Sequence, residues 1–544
     1  MSEPVLSANA KARDAAIDII SSMTVEPTAL LEYQSHGRVM VIGGPEAMEV
    51  SPRLTGPLRA DVLLMSGSVE PGASVIPVGG RAVHIEGYMG AFTITLSEKG
   101  KPNYEVYKVD LILDLEEKPL LSMPLKPLGY LTANSADELS LLNALNQLEE
   151  LTGTFEKPRF FDYDASICAH GRSGKTTCYR CVDACPAEAI TALVESIAVD
   201  PYLCQGGGIC ASVCPTGAIR YTYPSAADTL ECLRNTLSQY RDAGGEQAVV
   251  AFVSEVDYEQ VGELPDNLIP LVVEELGSIG IDIWLSTLAY GASRVLLVNA
   301  GSTPQVVVDA LQEQLATAHS MLSGFGYSAD AITLISVDDL MAESMAKMPL
   351  MLAATYSGMS EKRRTTFFAI DHLHEQSSET QSLIDLPAGS LFGRIHVKGE
   401  ACTLCMSCTS VCPAKAVRAG DDVPRLVFIE ENCVQCGICT AACPENAIYL
   451  ESRLLTDPEQ RRQSITLYEE APFHCVTCGK PFATQSVIDT MLEKLSSHQM
   501  FQSERSKQRL KMCEDCRVID VVQDAEAMGM PADMIGQNDP VTRT

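Results

Sequence analysis

The 544-residue chain has few basic residues, few aromatic residues and no long apolar stretch. Its 40 Lys and Arg stand against 71 Asp and Glu, which gives a formal net charge of −31. This balance argues against a nucleic-acid partner, because phosphate binding needs a basic face. No apolar run approaches the roughly 18 residues of a membrane-spanning helix, and residues 1–20 lack the pattern of a signal peptide. We therefore expect a cytoplasmic protein, not integral to a membrane, whose partners present basic patches.

Fingerprints for organic cofactors are also missing. No C-x-x-C-H motif occurs, which disfavours covalently attached haem. Gly43-Gly44-Pro45 follows a predicted strand but lacks G-x-G-x-x-G, so a plain turn is expected there. Ala169–Thr176 fits a loosened phosphate-loop pattern, but cysteines flank it where a strand and a helix should stand. With no flavin or pterin fingerprint either, we expect no enzyme activity from the chain on its own.

Cysteine, in contrast, is abundant, with 20 residues. In a reducing compartment, dense cysteine indicates metal rather than disulfides. The motif C-x2-C-x2-C-x3-C-P occurs twice between residues 402 and 444. This is the spacing of two-cluster ferredoxins, in which three cysteines of a run hold one cube and the fourth reaches the other. The spacing predicts two [4Fe–4S] clusters: cluster 3 on Cys402, Cys405, Cys408 and Cys443, and cluster 4 on Cys412, Cys433, Cys436 and Cys439.

A first cysteine block, between residues 168 and 215, departs from this spacing in two places. Nine residues rather than two follow Cys168, and Gly207 stands where a cysteine is expected. Crossed ligation predicts a complete [4Fe–4S] cluster 1 and a cluster 2 with three thiolates, which suits [3Fe–4S] or a [4Fe–4S] cluster with one labile iron. The alternative is a half without metal. The assigned ligands are Cys168, Cys178, Cys181 and Cys214 for cluster 1, and Cys185, Cys204 and Cys210 for cluster 2.

Two further features of this block allow more than one interpretation. Cys232 could supply a fourth thiolate to cluster 2, but a buried core cysteine is favoured, because free cysteine behaves as a small apolar residue. The insertion is basic and could shield the cluster, dock a partner or raise the potential of the cluster. The basic residues of the insertion are His170, Arg172 and Lys175, and Arg180 follows shortly after it.

The tail of the chain carries a different metal motif. Cys475 and Cys478 form one C-x2-C pair, and Cys513 and Cys516 form another. Two such pairs are the ligand set of a structural, tetrahedral zinc site. A mononuclear iron or a further cluster would use the same thiolates, but the third cysteine and the proline of the ferredoxin motif are absent. A basic run in the predicted helix 483–511 is read as a solvated face, with a docking surface as the alternative: Arg505, Lys507, Arg509 and Lys511.

Hydrophobic patterning predicts a multidomain chain of α/β and α+β class. Strands are expected at 39–42, 62–65 and 107–115, and a helix at 136–151. Residues 246–350 alternate strand and helix (247–253, 282–290, 294–299, 306–322 and 332–337), which predicts a parallel sheet. The predicted divisions are an α/β domain at 1–152, a dicluster domain at 153–235, an α/β domain at 244–357, a linker at 358–392, a dicluster domain at 393–452 and the metal-binding tail at 453–544.

Both cysteine blocks resemble bacterial dicluster ferredoxin domains. The 246–350 segment resembles the delta-subunit domain of methyl-viologen-reducing hydrogenase through Ala251–Val253, Leu264–Pro270 and Gly291–Val298. That family holds a [2Fe–2S] cluster with cysteines, but this segment has none and Ser254 stands at such a position, so no cluster is expected. Phe161–Cys168, the insertion and Lys511–Arg517 are similar to the large iron–sulfur proteins that accompany molybdenum- or tungsten-dependent formate dehydrogenases.

These patterns favour an electron-transfer protein or subunit that relays electrons between a dehydrogenase and an acceptor. The resemblance implies a formate dehydrogenase-like catalytic subunit as a redox partner. The expected cofactors are three [4Fe–4S] clusters, one further [3Fe–4S] or [4Fe–4S] cluster and one zinc ion. The alternative is a scaffold or maturation factor for a molybdenum or tungsten metalloenzyme.

Overall fold

The computed structural model describes residues 7–67, 74–98, 104–340, 352–359, 361–377, 381–421 and 423–524. The last ten residues of the predicted 246–350 domain pattern, and residues 525–544 of the tail, lie outside these ranges. The chain divides into two compact units. The first contains residues 1–170 and 179–387, and the second contains residues 171–178 and 388–544. No described helix is long and apolar enough to cross a membrane.

The described strands up to residue 158 form two sheets and a separate antiparallel pair, β1 with β10. A five-stranded sheet of order β4-β3-β2-β8-β9 is parallel throughout, and β5-β6-β7 is antiparallel. The elements are α1 (Ala8–Ser22), β1 (Leu30–Ser35), β2 (Arg38–Gly43), α2 (Pro45–Val50), β3 (Arg59–Leu64), β4 (Val75–Pro77), β5 (Ala82–Glu86), β6 (Phe92–Ser97), β7 (Tyr104–Val109), β8 (Leu111–Asp114), β9 (Tyr130–Thr132), α3 (Glu138–Glu150) and β10 (Gly153–Pro158).

The predicted strand 107–115 is in fact two strands, β7 and β8, divided at Asp110. This carboxylate is fully buried, accepts hydrogen bonds from the backbone N–H groups of His36 and Arg38 (3.0 Å each), and pairs with the Arg38 guanidinium at 2.7 Å. Burial would raise the pKa of Asp110, but Arg38 holds it below its ordinary value. The charge network therefore fixes the point where the chain leaves the antiparallel sheet and enters the parallel one.

Two features cross the predicted boundary of the first domain at residue 152. β10 pairs with β1 in an antiparallel arrangement, with Leu30 opposite Pro158. Helix α1 packs against α6 (Ala226–Asp242) and the strand Leu268–Val273 rather than against the five-stranded sheet. The Arg13 guanidinium donates to the carbonyl of Leu264 at 3.2 Å. The amino-terminal helix therefore belongs structurally with the middle of the chain.

Short elements follow in the first cysteine block. β11 pairs with β16, β12 with β13, and β14 with β15, each pair being antiparallel. The elements are β11 (Phe161–Tyr163), β12 (Gly171–Arg172), β13 (Lys175–Thr176), α4 (Arg180–Ala184), β14 (Ile190–Ala192), β15 (Ile197–Val199), α5 (Ile209–Ser212), β16 (Ile219–Tyr221) and α6.

The middle segment forms a four-stranded parallel sheet, as its alternation predicts. Its order is β18-β17-β19-β20, and helices connect the strands. The edge strand β18 was not predicted, because Pro270 lies inside it; proline is tolerated on an edge strand, where one N–H is not needed. The elements are β17 (Val249–Ser254), α7 (Glu255–Tyr258), β18 (Leu268–Val273), α8 (Ile281–Ala289), β19 (Arg294–Asn299), α9 (Gln305–Gly324) and β20 (Ile332–Ser336).

The stretch 358–392, expected to be a linker, contains α10 (Lys362–Glu375) and β21 (Leu383–Asp385). Phe367, Ile370 and Leu373 are buried on one face of α10, which packs against α8. Their spacing of three residues places them on the same side of a helix. Charged residues on the other face gave the stretch its polar composition.

The second unit contains the complete cysteine block and the tail. β22 pairs with β25, β23-β24-β26 form a sheet, and β27 pairs with β28. The expected helix 483–511 is interrupted between residues 495 and 504, where Ser503 caps a new helix. The elements are β22 (Gly393–Val397), α11 (Ser407–Val411), β23 (Val417–Ala419), β24 (Arg425–Phe428), α12 (Ile438–Ala442), β25 (Ile448–Leu455), α13 (Pro458–Arg462), β26 (Ile465–Glu469), β27 (Pro472–His474), β28 (Pro481–Thr484), α14 (Gln485–Leu495), α15 (Glu504–Arg509) and α16 (Glu514–Val522).

Candidate metal centres

The second cysteine block surrounds one apolar core in the second unit. Cys408, Cys433 and Cys439 are buried there with Ile395 and Phe428, among other apolar residues. A small cavity within this block is lined by the four cysteines assigned to cluster 4, Cys412, Cys433, Cys436 and Cys439. The fold therefore brings Cys412 to the triplet from the other run, as crossed ligation requires.

Backbone geometry turns N–H groups toward these sulfurs. The residue three positions after the last cysteine of each run is left-handed, Lys415 with φ 52° and Asn446 with φ 50°. The next N–H then donates to the cysteine: Ala416 to Cys412 Sγ at 3.2 Å and Ala447 to Cys443 Sγ at 3.3 Å. Hydrogen bonds of this kind stabilise thiolates and tune the potentials of the clusters that they hold. The motif spacing did not identify these donors.

Thiols packed this densely are costly to ionise without a cation. Burial, followed by the charges of neighbouring cysteines, raises the pKa of Cys408 and of Cys436 to about 12 and that of Cys439 further. Metal binding requires deprotonated thiols, so the cation must supply the missing stabilisation. The ligand set and its apolar walls fit an iron–sulfur cube in each half of this block.

The first block forms a similar core in the first unit. Six of its cysteines contact the same apolar core as Phe161, Ile190 and Ile219; Cys168 and Cys214 are buried, and Cys181, Cys185, Cys204 and Cys210 are partly buried. Burial, and then Cys204 and Cys185, raise the pKa of Cys210 well above its usual value. The three thiols assigned to cluster 2 therefore interact with one another. Cys178 belongs to the second unit.

The loop around Gly207 keeps the backbone conformation of the complete loops although it lacks the cysteine. In the complete runs, the residues before and after the middle cysteine are left-handed: Leu404 and Met406 flank Cys405, and Gln435 and Gly437 flank Cys436. Gly206 (φ 80°) and Gly208 (φ 67°) flank Gly207 in the same way. A Cβ built on Gly207 would meet only Pro186 Cγ at 3.9 Å, whereas one on Gly208 would lie 2.3 Å from Ser278. The loop around Gly207 therefore matches the complete loops in backbone conformation and lacks only the cysteine side chain.

A partly buried cation beside the cysteines assigned to cluster 2 was not apparent from the sequence. The Lys157 amine donates to the carbonyls of Tyr202 (2.8 Å) and Cys204 (2.6 Å), and lies 4.9 Å from the centre of the Tyr33 ring. Burial lowers the pKa of Lys157 to about 8, although Cys204 and Asp200 oppose this shift. Lys157 is 47 positions before Cys204 in the chain, so no local pattern could identify it.

Cys232 lies in α6, with its Sγ 3.9 Å from Thr236 Oγ1, and it is buried. Burial raises its pKa. These surroundings agree with the favoured interpretation as a core cysteine. Ser254, at the end of β17, accepts a hydrogen bond from the Asp257 N–H at 3.2 Å and so caps α7.

The four tail cysteines converge on one point. Their Sγ atoms all lie within 4.8 Å of one another, and Cys478 Sγ is 3.7 Å from Cys513 Sγ. Four thiolates bound 2.3 Å from one zinc ion in a tetrahedron would lie about 3.8 Å apart. Among the described residues, no other group of three or more metal-ligating side chains meets the 4.8 Å spacing. The site therefore fits one metal ion better than a cube, whose several irons separate the thiolates.

Backbone N–H groups also stabilise a deprotonated cysteine at this site. Thr477 and Cys513 donate to Cys475 Sγ at 3.4 and 3.3 Å. Burial would raise the pKa of Cys475, but the N–H groups of Cys478, Cys513 and Thr477 lower it to about 6. The Val476 N–H donates to the Lys511 carbonyl at 3.2 Å and ties the two cysteine pairs together.

The basic run in the tail is largely paired within the tail. Arg505 and Arg509 pair with Asp520, at 3.1 and 2.6 Å, and Lys507 pairs with Glu504 at 3.0 Å. The favoured interpretation as a solvated helix face agrees with this pairing. In the insertion, His170 is buried, and its ring lies 2.9 Å from the Leu193 carbonyl, so it does not join an exposed basic patch.

Two family models match the chain. The 4Fe-4S dicluster domain matches residues 401–448, which contain all eight cysteines of the second block. The 4Fe-4S binding domain matches residues 197–220, around Gly207. No curated protein matches the chain. The chain therefore carries ferredoxin-type iron–sulfur domains, which support an electron-transfer role.

We predict that Gly207→Cys gives cluster 2 a fourth thiolate, because the site has room for a Cβ and the backbone already has the ferredoxin conformation. A native [3Fe–4S] EPR signal, or a [4Fe–4S] signal that converts to [3Fe–4S] by loss of the labile iron, should be replaced by a [4Fe–4S] signal that resists this loss. Gly208→Cys is the matched control, since its side chain would clash with Ser278. A Gly207→Cys protein whose cluster 2 keeps the native iron content and the native lability of one iron would contradict the prediction.

We predict that Lys157→Met lowers the reduction potential of cluster 2 by about 60 mV, the one-electron equivalent of a tenfold change in equilibrium constant. A nearby cation stabilises the more negative, reduced form. The charge is lost as pH rises through about 8, so the native potential should fall over that range and that of the variant should not. Redox-titrated EPR measures both effects. The same fall in Lys11→Met, which removes an exposed charge, would count against a local role.

We predict that Cys475→Ser removes one metal ion per chain and leaves the iron–sulfur signals unchanged, because the tail site is separate from the ferredoxin cysteines. Elemental analysis and EPR of the same sample test this. Cys232→Ser should change neither quantity. Retention of the full metal content in Cys475→Ser would show that the four thiolates do not share one ion.

Proposed function

We propose that this protein is a cytoplasmic electron-transfer protein or subunit that relays single electrons between a dehydrogenase and an acceptor. The observation that carries the proposal is the grouping of Cys412 with Cys433, Cys436 and Cys439 around one apolar cavity. Buried thiols in that arrangement lose their protons and act as ligands when a bound cation compensates their charge. An iron–sulfur cluster supplies one-electron redox chemistry between roughly −700 and +450 mV.

The proposed relay contains four clusters on the ligands assigned by crossed ligation. Clusters 1, 3 and 4 are [4Fe–4S], and cluster 2 has three thiolates and is [3Fe–4S] or [4Fe–4S]. The chain positions these groups, excludes water with apolar walls and sets their potentials through N–H groups and Lys157. The tail cysteines hold one zinc ion with a structural role, because four thiolates leave no open position.

The proposed partners are redox proteins with basic patches, because this chain has a net charge of −31. A formate dehydrogenase-like catalytic subunit is the proposed donor or acceptor. This choice rests on the likeness of Phe161–Cys168, the insertion and Lys511–Arg517 to iron–sulfur proteins that accompany such enzymes.

A scaffold or maturation factor for a molybdenum or tungsten enzyme is the second candidate. The observation that favours it is Gly207, since an iron without a protein thiolate is exchangeable. Loss of cofactor insertion in a partner enzyme, together with clusters that do not titrate reversibly, would favour this function. Reversible one-electron titration with an unaffected partner cofactor would favour the relay.

We predict about 15 to 16 irons and one zinc per chain after anaerobic preparation, from three full cubes and one three-thiolate cluster with three or four irons. Dithionite should reduce the clusters, and redox-titrated EPR should separate their potentials. Only eight irons would mean that the first block holds no cluster. A sample that binds zinc alone and accepts no electron from dithionite would overturn the proposed function.

A further inference from the structure

A cavity of about 210 Å³ lies inside the first unit, apart from the proposed metal centres. Its lining comes from helix α5, from strand β16 with the start of α6, from the start of α8, and from α10. None of the lining residues in the described part of the chain is a cysteine. The cavity is therefore separate from the clusters, although α5 lies between two of the assigned ligands, Cys210 and Cys214.

The size and the walls of the cavity suit a small organic molecule better than water alone. Ile279 and Ile283 are buried and line it together with Val273 and Pro224. An apolar cavity of about 150 Å³ can hold a benzene ring, whereas a buried water needs two to four polar partners. Ligand pockets are in general mostly apolar, with a few polar groups that fix the orientation of the ligand. We therefore expect an occupant with an apolar body and a small polar part.

One carboxylate of the cavity has no partner. Asp282 lines the cavity and is only 5 % exposed, and no described residue forms a hydrogen bond or an ion pair with its side chain. It is the second residue of α8, where the positive end of the helix offsets part of its charge. Buried polar side chains nearly always have a hydrogen-bond partner as well. The carboxylate therefore lacks a donor that an occupant of the cavity would supply.

The two basic residues that line the cavity are already paired. The Lys362 ammonium, on α10, donates to the carbonyl of Ala211 at 3.0 Å. The Arg220 guanidinium lies 3.7 Å from the carboxylate of Asp162, and both of these side chains reach solvent. Asp282 therefore leaves one negative charge of the cavity uncompensated, and this charge favours a cation over an anion.

Contacts between α5, α8 and α9 fix the place of this carboxylate. The Ile281 N–H, at the start of α8, donates to Gln314 Oε1 at 3.3 Å, and Gln314 Nε2 donates to Ser212 Oγ at 3.3 Å. A Cβ on Gly280 would lie 2.9 Å from Ser212 Cβ and 3.1 Å from Asp282 Oδ1. The missing side chain at Gly280 therefore allows α5 to approach the start of α8 without crowding the carboxylate.

We propose that this cavity binds a small organic cation, in which an apolar or aromatic body carries a protonated amine or an amidinium group. The cationic group donates hydrogen bonds to Asp282, and the body lies among Ile279, Ile283 and Val273. A charge-assisted hydrogen bond of this kind is about twice as strong as one between neutral groups. Binding requires no cluster, so this inference goes beyond the proposed electron transfer and does not depend on it.

Three probes of similar shape test the charge preference in the full-length protein by titration calorimetry. Benzylamine is a cation, benzyl alcohol is neutral and benzoate is an anion. Benzylamine should bind about tenfold more tightly than benzyl alcohol, which is the difference that one hydrogen bond to a charged group supplies. Benzoate should show no measurable binding. Equal affinity for the three probes would overturn the inference, and so would the absence of any binding, because the cavity would then hold water only.

Two substitutions of opposite sign locate the bound cation. Asp282→Asn keeps the shape of the side chain and removes its charge, so the affinity for benzylamine should fall about tenfold. Lys362→Gln removes a positive charge of the cavity and can still donate to the carbonyl of Ala211, so the affinity for benzylamine should rise. Asp309→Asn is the matched control, since it removes the same charge as Asp282→Asn from an exposed position of α9. Its affinity should equal that of the native protein.

The variants also separate this cavity from a general effect of charge. If Asp309→Asn loses as much affinity as Asp282→Asn, benzylamine responds to the net charge of the chain and the inference is wrong. Weaker binding in Lys362→Gln would overturn it as well. If circular dichroism shows that Asp282→Asn does not fold, the three probes on the native protein and the Lys362→Gln variant still decide the question.

Discussion

The structure depends on the cost of placing several thiols around one point in an apolar interior. Ionised thiols repel one another and are poorly solvated there, and burial with mutual charge accounts for the raised pKa of Cys436 and Cys210. Only a cation removes this cost. The ferredoxin loops, the short helices α4, α5, α11 and α12, and the apolar walls are all arranged so that a metal replaces the protons.

The backbone stores strain to meet this requirement. Leu404, Met406, Lys415 and Gln435 are left-handed without being glycine, and a residue in that region costs of order 1–3 kcal/mol unless its surroundings fix it. This left-handed backbone conformation directs N–H groups at the cysteine sulfurs. Because Gly206 and Gly208 keep the same conformation where no cysteine lies between them, the loop fold does not require the ligand at that position. The loss of one thiolate at Gly207 therefore changes the chemistry of cluster 2 without changing its frame.

Much of the fold and the sites could be predicted from the sequence, and the failures have physical causes. The cysteine spacing assigns Cys412 to the triplet of the next run, and these four cysteines line one cavity in the structure. The two cysteine pairs of the tail converge on one point. The strand at Leu268 was missed because Pro270 argues against a strand unless its place at the sheet edge is known. In the sequence, Asp110 lies within one long predicted strand. The strand is divided there because Asp110 binds His36 and Arg38, which are distant in the chain. The membership of residues 171–178 in the second unit and the position of Lys157 depend on tertiary contacts between distant residues, which no local pattern carries.

The ligand sets also indicate where an electron should settle within the first unit. A cluster held by three thiolates carries less ligand charge than one held by four, and the Lys157 ammonium near Cys204 adds a positive charge. Both features stabilise the reduced form, so we expect cluster 2 to have a higher potential than cluster 1, whose thiolate set is complete. Electrons that enter at cluster 1 would then pass to cluster 2 downhill.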